Sequence, residues 1–186
     1  MKKQFLKGIA QSAIAFMIVL PLLVAKPTVG QQASPVKPAK TGYANTNGLK
    51  MYYEVYGAGK PLVLLHGAFL TINLAFGGII PELSKNRQVI AVELQGHGHT
   101  ADIDRDFSFE AMADDVAALL KFLKKDSADV LGYSMGGEIA LQLAIRHPQS
   151  VNKLIIISAA YRYEGWSPQT RAILPMIAPQ MFEGTP

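Results

Sequence analysis

A serine between two glycines stands in a setting that could make it a nucleophile. Gly132, Ser134 and Gly136 match the pattern G-x-S-x-G, with the apolar run DVL directly before Gly132 and the helical pattern GGEIALQLAIRH after Met135. A strand that turns at once into a helix forces the serine into strained backbone angles, so its neighbours must lack side chains. The pattern predicts a raised hydroxyl at a helix N-terminus, which favours developing negative charge. The alternative is a glycine-rich corner with an idle serine.

A second glycine-containing loop could supply hydrogen-bond donors to the same reaction. His66 and Gly67 directly follow the apolar run PLVLL. The backbone N–H groups of Ala68 and Met135 would together make a two-donor oxyanion hole. These are backbone roles, so the identities of the two side chains matter little. We expect His66 to hydrogen-bond locally and shape the loop rather than to act as the catalytic base.

The remaining histidines do not form an evident base or metal site. Glu93 ends the next apolar run, and His97 and His99 follow it in a loop that contains two glycines. No further histidine or acid stands at ligand spacing, so we expect neither a metal nor another cofactor. We expect Glu93 to be structural and nothing to orient either histidine. His147 lies about 20 Å from Ser134 along a helix, which is too far for a base.

Short apolar runs alternate with helical patterns along the body of the chain. Runs without polar alternation are typical of strands buried on both faces of a parallel sheet. They are Pro61–Leu65, Gln88–Leu94, Asp129–Leu131 and Lys153–Ser158. The aromatic and β-branched run Leu49–Tyr56 suits an antiparallel entry strand. This order predicts an α/β fold.

Two helices are clear from the spacing of their apolar residues. The first is Phe109–Lys124, with Ser108 as its N-cap and with Asp114 and Asp115 facing away from the apolar stripe. The second runs from Met135 to about residue 146 and is ended by a proline two residues later.

Composition excludes several classes of protein. A chain of 186 residues, with 49% AVILMFWYC residues and 17% charged residues, suits one globular domain with an appendage rather than a disordered protein. The lack of cysteine excludes a disulfide framework and a thiolate metal site. The net charge of +4 comes from four lysines in residues 1–33, which contain no acid. The body is therefore neutral, and we expect no nucleic-acid partner.

Residues 1–33 are predicted to be a signal peptide with the start of a tether, and residues 34–41 to be the rest of that tether. Three lysines precede the apolar core Ala13–Ala25, which is the pattern of a secretory signal. We expect export to the periplasm or the medium, with no stable membrane partner after cleavage. An uncleaved N-terminal anchor is the alternative, and the cleavage site is left open.

Three motifs, in this order, resemble one family. HGAF at 66–69, ELQGHGHT at 93–100 and GYSMGG at 132–137 each follow an apolar run, and they resemble the α/β-hydrolase superfamily in its serine esterase and perhydrolase-like branch. The resemblance covers about Gly42–Ser158. It implies an α/β-hydrolase-type, mostly parallel sheet with flanking helices, and a small-molecule acyl substrate such as a carboxylic ester. The serine argues against the branches that use aspartate there, the haloalkane dehalogenases and epoxide hydrolases.

The resemblance also implies parts that this sequence lacks. The family's catalytic triad runs serine, acid, histidine in chain order, and no histidine follows His147. We therefore expect residues 42–160 to be the N-terminal part of the domain, truncated before the last strands, and residues 161–186 to begin a cap. The chain would be a fragment or a truncated product, with a bare edge on its last strand.

Two other functions stay open. One is a catalytically inactive truncated hydrolase that binds a small acyl ligand or pairs through its open sheet edge. The other is cofactor-free perhydrolase or carbon–carbon hydrolase chemistry on the same scaffold. Substrate identity and oligomeric state are left open.

Overall fold

The computed structural model describes residues 36–161 and 163–173. The predicted signal peptide and much of the predicted cap, residues 162 and 174–186, lie outside the described residues. Within those two ranges, no helix is both long and apolar enough to cross a membrane. Export of the protein stays a prediction.

Six strands form one mostly parallel sheet. They are β1 Lys40–Thr46, β2 Leu49–Tyr56, β3 Lys60–Leu65, β4 Arg87–Val92, β5 Ala128–Tyr133 and β6 Val151–Ile157. Their order across the sheet is β1-β2-β4-β3-β5-β6. The neighbouring pairs β4–β3, β3–β5 and β5–β6 are parallel, whereas β2 is antiparallel to both β1 and β4. The predicted parallel sheet and its antiparallel entry strand are thus confirmed.

Helices cover both faces of this sheet. They are α1 Ile72–Phe76, α2 Ile80–Leu83, α3 Phe109–Phe122, α4 Met135–Arg146 and α5 Pro168–Ile173. In β3, Val63 and Leu65 pack in one core cluster with residues of α3 and α4. Leu62 and Leu64 pack in a second cluster with residues of α1 and α2. Because successive side chains of a strand point to opposite faces, the two clusters lie on opposite sides of the sheet.

The first strand was not expected from the sequence. Strand β1 begins at Lys40, inside the predicted tether. Its residues KTGYANT contain one large apolar side chain, and only Ala44 and Thr46 are buried. Pairing with β2 along its whole length makes it a strand. Such long-range pairing overrides the weak local signal.

Asp115 corrects a second expectation. Asp114 and Asp115 were expected to face away from the apolar stripe of α3, but Asp115 is fully buried. Its carboxylate forms an ion pair with Arg105 and accepts a hydrogen bond from Asn47 Nδ2 at 3.0 Å. These donors compensate for removing the charge from water. The predicted N-cap of α3 is confirmed, since the Ser108 side chain accepts from the Ala111 N–H.

The last strand has an apolar outer edge. Among the described residues, β6 pairs only with β5. Ile155 and Ile157 of β6 are 46% and 43% exposed, respectively. An open strand with such side chains is a site where another strand could pair.

His66 ties the end of β3 to the end of β4. The imidazole is fully buried, its Nε2 accepts the Leu94 N–H at 3.1 Å, and its Nδ1 lies 2.8 Å from the Gly67 carbonyl oxygen. Because Nε2 is the acceptor, the proton sits on Nδ1 and is donated to Gly67. Burial lowers the pKa of His66 to about 4. The ring is therefore a neutral structural link. Its bond to Gly67 is local, as expected, whereas its bond to Leu94 reaches the end of another strand.

This link predicts an acid-sensitive fold. His66 has a pKa near 6.5 when unfolded and about 4 when folded. As the pH falls between those values, the unfolded state takes up a proton that the folded state excludes, so stability is lost. The free energy of unfolding should drop by about 2 kcal/mol between pH 7.5 and pH 5 through this group.

Urea unfolding at both pH values measures the effect. His66→Gln keeps a group that can accept from Leu94 but removes the titration, so its pH dependence should be smaller by that amount. An equal pH dependence in both proteins would contradict the assignment.

Candidate active site

Ser134 occupies a sharp turn between β5 and α4. Its φ of 52° and ψ of −124° lie where residues other than glycine are rarely found. The Ser134 N–H donates to the Ile157 carbonyl oxygen at 2.8 Å, and the Ser134 carbonyl oxygen accepts from the Gly137 N–H at 2.7 Å. These bonds hold the strained residue in place from both sides. The predicted strained turn is present, and its catalytic role stays a prediction.

The two motif glycines allow backbone segments to touch. A Cβ at Gly132 would lie 2.2 Å from the Gly136 carbonyl oxygen, and a Cβ at Gly136 would lie 2.1 Å from the Leu65 carbonyl oxygen. Real Cβ atoms do not approach backbone oxygens so closely. The first turn of α4 therefore lies directly against the end of β3, which brings the loop after β3 to the serine.

That loop faces Ser134. A Cβ at Gly67 would lie 3.2 Å from the Ser134 Cβ, and Ala68 lines the same cavity as Ser134 and Met135. Met135 is the first residue of α4, where a backbone N–H has no acceptor within the helix. The structure thus brings together the residues that the sequence predicted for the oxyanion hole.

His97 supports the same loop, which corrects the expectation that nothing orients it. The Phe69 N–H donates to His97 Nε2 at 3.1 Å, and Nδ1 lies 2.8 Å from the Gln95 carbonyl oxygen. Phe69 itself has a φ of 61°, so the turn after Ala68 is tight. Since the Nε2 lone pair is occupied by Phe69, His97 holds the loop and does not face Ser134 as a base. Sequence spacing carried no signal for this contact.

His99 is also oriented, by Glu93. The His99 ring nitrogen Nδ1 lies 2.8 Å from Glu93 Oε2, and the His99 backbone N–H donates to the same oxygen at 2.5 Å. Glu93 is buried, and a Cβ at Gly98 would lie 2.3 Å from its carboxyl group. The loop after β4 is therefore wrapped around this carboxylate. In residues 36–161 and 163–173, no group of three or more His, Cys, Asp or Glu side chains could hold a metal ion.

His147 lies at the other end of α4. Its Nε2 is 2.7 Å from Asp114 Oδ1, and Arg146 donates two hydrogen bonds to the same carboxylate. The Arg146 bonds, with a smaller contribution from His147, lower the pKa of Asp114. This cluster joins α3 to α4 and is separate from the site at Ser134.

A cavity of about 720 Å³ opens beside Ser134. Most of the described residues that line it are aromatic or aliphatic, and none of these described residues is histidine. The lining comprises Ala68, Phe107, Phe109, Ser134, Met135, Glu138, Leu141, Gln142, Ile145, Ala160, Tyr161 and Trp166. Such a lining suits a small apolar ligand with a few polar contacts.

Glu138 is a feature of this cavity that sequence reasoning missed. It is 8% exposed, and burial raises its pKa, although hydrogen bonds from the Ala160 N–H and the Trp166 side chain oppose the rise. In the sequence it is one acid in the first turn of a helix, which ordinarily faces solvent and interacts with the helix dipole. Its partners follow β6, so no local pattern indicated them.

The close approach at Gly136 can be tested by substitution. Gly136→Ala should lower the free energy of unfolding by about 2 kcal/mol or more, because the added methyl group must displace the backbone of β3. Gly78→Ala is the matched control, since a Cβ there meets nothing within 4 Å. It should change stability by less than about 0.5 kcal/mol. Denaturant unfolding of both variants provides the comparison, and equal effects would argue against the close packing.

Comparison with known proteins places the chain in a family. Residues 60–185 match the family model described as the alpha/beta hydrolase fold. The matched stretch is more than half of the chain and includes both glycine-containing loops and the turn at Ser134.

Individual relatives carry different hydrolase names. The 2-hydroxymuconate semialdehyde hydrolase of Pseudomonas sp. (strain CF600) is 35% identical over 116 residues, which are 61% of this chain and 41% of that protein. A soluble epoxide hydrolase of Corynebacterium sp. (strain C12) is 35% identical over 114 residues, 61% of this chain and 40% of that protein. The structure of an esterase from Exiguobacterium antarcticum matches at 31% identity with a TM-score of 0.61, over 65% of this chain and 46% of the esterase.

The matched part of the chain thus spans about two fifths of the length of these two curated relatives. Residues 60–185, which the family model matches, hold the parallel strands β3 to β6, the turn at Ser134 and the loop that faces it. On the match of fold, motifs and family model together, the chain belongs to the α/β hydrolase family.

Proposed function

We propose that this chain carries the nucleophile and the oxyanion hole of a serine hydrolase that acts on carboxylic esters or related acyl compounds. The observation that carries the proposal is the strained turn at Ser134, at the N-terminus of α4 and beside a largely apolar cavity. A serine hydroxyl in that position can reach a carbonyl group bound in the cavity.

In the proposed mechanism, Ser134 Oγ attacks the carbonyl carbon of the ester as its proton passes to a general base. The carbonyl oxygen becomes an oxyanion and accepts hydrogen bonds from the Ala68 and Met135 N–H groups. The alcohol leaves with a proton from the same base, and an acyl-enzyme remains on Ser134. Water then attacks the acyl-enzyme, which releases the carboxylic acid and restores the serine.

We propose that the general base is not one of the histidines in residues 36–161 and 163–173. It would come from sequence outside those residues. His66 is buried and bonded to Leu94, His97 supports the Phe69 turn, and His147 pairs with Asp114 at the far end of α4. None of these rings lines the cavity at Ser134. A histidine and the acid that orients it would complete the triad in a longer protein.

A second candidate is the cleavage of a different bond by the same serine. One relative, the hydrolase from Pseudomonas sp. (strain CF600), is named for a semialdehyde substrate and not for an ester. Carbon–carbon hydrolysis or perhydrolysis would use the same nucleophile and oxyanion hole. A serine at residue 134, where epoxide hydrolases use aspartate, makes epoxide opening a poorer candidate than either.

Hydrolysis of an activated ester tests the proposal on the chain of 186 residues. Without a histidine in the cavity, turnover of p-nitrophenyl butyrate should lie about 10⁴-fold or more below the ~10 s⁻¹ typical of complete enzymes. A residual rate above that of water should remain, and the part of it that comes from slow acylation of Ser134 should be lost in Ser134→Ala, whereas the part that comes from the oxyanion hole and binding should persist. Initial rates of both proteins, with enzyme-free buffer subtracted, measure this component.

Two results would contradict the proposal. Equal residual rates in both proteins would mean that Ser134 takes no part in the reaction. A turnover typical of complete esterases, lost in Ser134→Ala, would mean that the base lies within this chain.

A further inference from the structure

The wall of the cavity contains one buried carboxyl group. Glu138 lies one helical turn after Ser134, about 6 Å along the axis of α4. It is 8% exposed and lies among side chains that are mostly aliphatic or aromatic. A carboxylate in such surroundings requires hydrogen-bond donors.

Two donors come from the segment that follows β6. The Ala160 N–H and the Trp166 indole interact with the Glu138 carboxylate and lower its pKa, against the effect of burial. Ala160 and Trp166 line the same cavity as Glu138 and Ser134. The carboxylate therefore connects the helix of the proposed nucleophile to the opposite wall of the cavity.

Close packing independently brings this segment to α4. A Cβ at Gly137 would lie 2.6 Å from the Ala159 Cβ, so the segment rests directly on the first turn of the helix. A Cβ at Gly165 would lie 3.3 Å from the Ala160 Cβ, so the chain folds back on itself just before Trp166. The contact between Glu138 and Trp166 thus belongs to a packed arrangement of three segments: the first turn of α4, the residues Ala159 and Ala160, and the residues around Gly165.

We propose that Glu138 is a positioning residue that fixes the Trp166 wall of a subsite for an apolar acyl chain. The identity of this ligand rests on the proposed function, as the acyl part of the compound that binds at Ser134. Glu138 lies about 6 Å along α4 from Ser134, so the wall beside Glu138 is placed to contact the hydrocarbon of the acyl group and not its carbonyl carbon. Phe107, Phe109 and Leu141 complete a lining that suits hydrocarbon.

The unaltered chain allows a direct test of the contact. Trp166 is the only tryptophan, so the protein gives a single indole N–H signal in a ¹⁵N–¹H spectrum. Donation to a buried carboxylate should protect that proton from exchange with solvent at least about tenfold relative to a free indole. Exchange at the rate of a free indole would overturn the proposal, whatever the behaviour of any variant.

Three variants then separate positioning from general stability. Glu138→Met keeps the volume but removes the acceptor oxygens, so acrylamide quenching of Trp166 fluorescence should rise about twofold or more as the indole leaves the wall. Glu138→Gln retains an acceptor oxygen and should behave like the unaltered protein. Glu110→Gln is the matched control, since Glu110 is an exposed acid in the first turn of α3, and it should change nothing. Unchanged quenching in a folded Glu138→Met protein would overturn the proposal.

A heavy-atom ligand tests the subsite itself. 8-Bromooctanoate should quench Trp166 fluorescence saturably in the unaltered protein and in Glu138→Gln, because its bromine reaches the wall, and at least tenfold more weakly in Glu138→Met. Bromoacetate is too short to reach the wall and should quench without saturation. Equal quenching by both acids would overturn the acyl subsite. Since no step of this assay depends on catalysis, an inactive Ser134 would refute the proposed function and leave this result standing.

Discussion

The end of β3 and the first turn of α4 lie so close together that a single methyl group at Gly136 would collide with the Leu65 carbonyl oxygen. The site depends on this approach. It places Ser134 opposite the loop that carries Ala68, and it directs the N-terminus of α4 at the cavity between them. Strand β3 pairs with β4 on one side and with β5 on the other. These two buried apolar strands hold the end of β3 in place against α4. The strain at Ser134 is thus maintained by the packing of the whole sheet.

His66 and His97 hold backbone segments in place, and neither ring lines the cavity beside Ser134. His66 joins the ends of β3 and β4, and His97 accepts the N–H of the residue that follows Ala68. Both rings lie beside the loop proposed to form half of the oxyanion hole, with ring centroids 5.0 Å apart. Because an oxyanion hole works through preorganised donors, rings that fix the backbone contribute to it without touching a substrate. In the proposal above, Glu138 likewise positions Trp166 in the opposite wall of the cavity without being a catalytic group.

Local pattern predicted those parts of the molecule whose structure is set locally. The four apolar runs and the helix at Phe109 were recognisable because burial on both faces, or on one helical face, leaves a periodic signal. The turn at Ser134 was recognisable because close backbone contact demands glycine. Strand β1, the buried charge of Asp115 and the orientation of His97 were not, since each depends on partners far away in the sequence. The burial of Glu138 belongs with these, because its donors follow β6.

The most direct test of the central claim is chemical rescue of Ser134 by an added base. A small fluorophosphonate forms a bond to serine Oγ and releases fluoride, and peptide mass spectrometry locates the adduct. If the strained turn and its two N–H donors make Ser134 a nucleophile that lacks only a base, imidazole should accelerate its labelling about tenfold or more. Ser158, which directly follows the parallel strand β6 and has a φ of 53° but no helix directly after it, should label slowly with or without imidazole. Equal labelling of the two serines, or no effect of imidazole at Ser134, would contradict the claim.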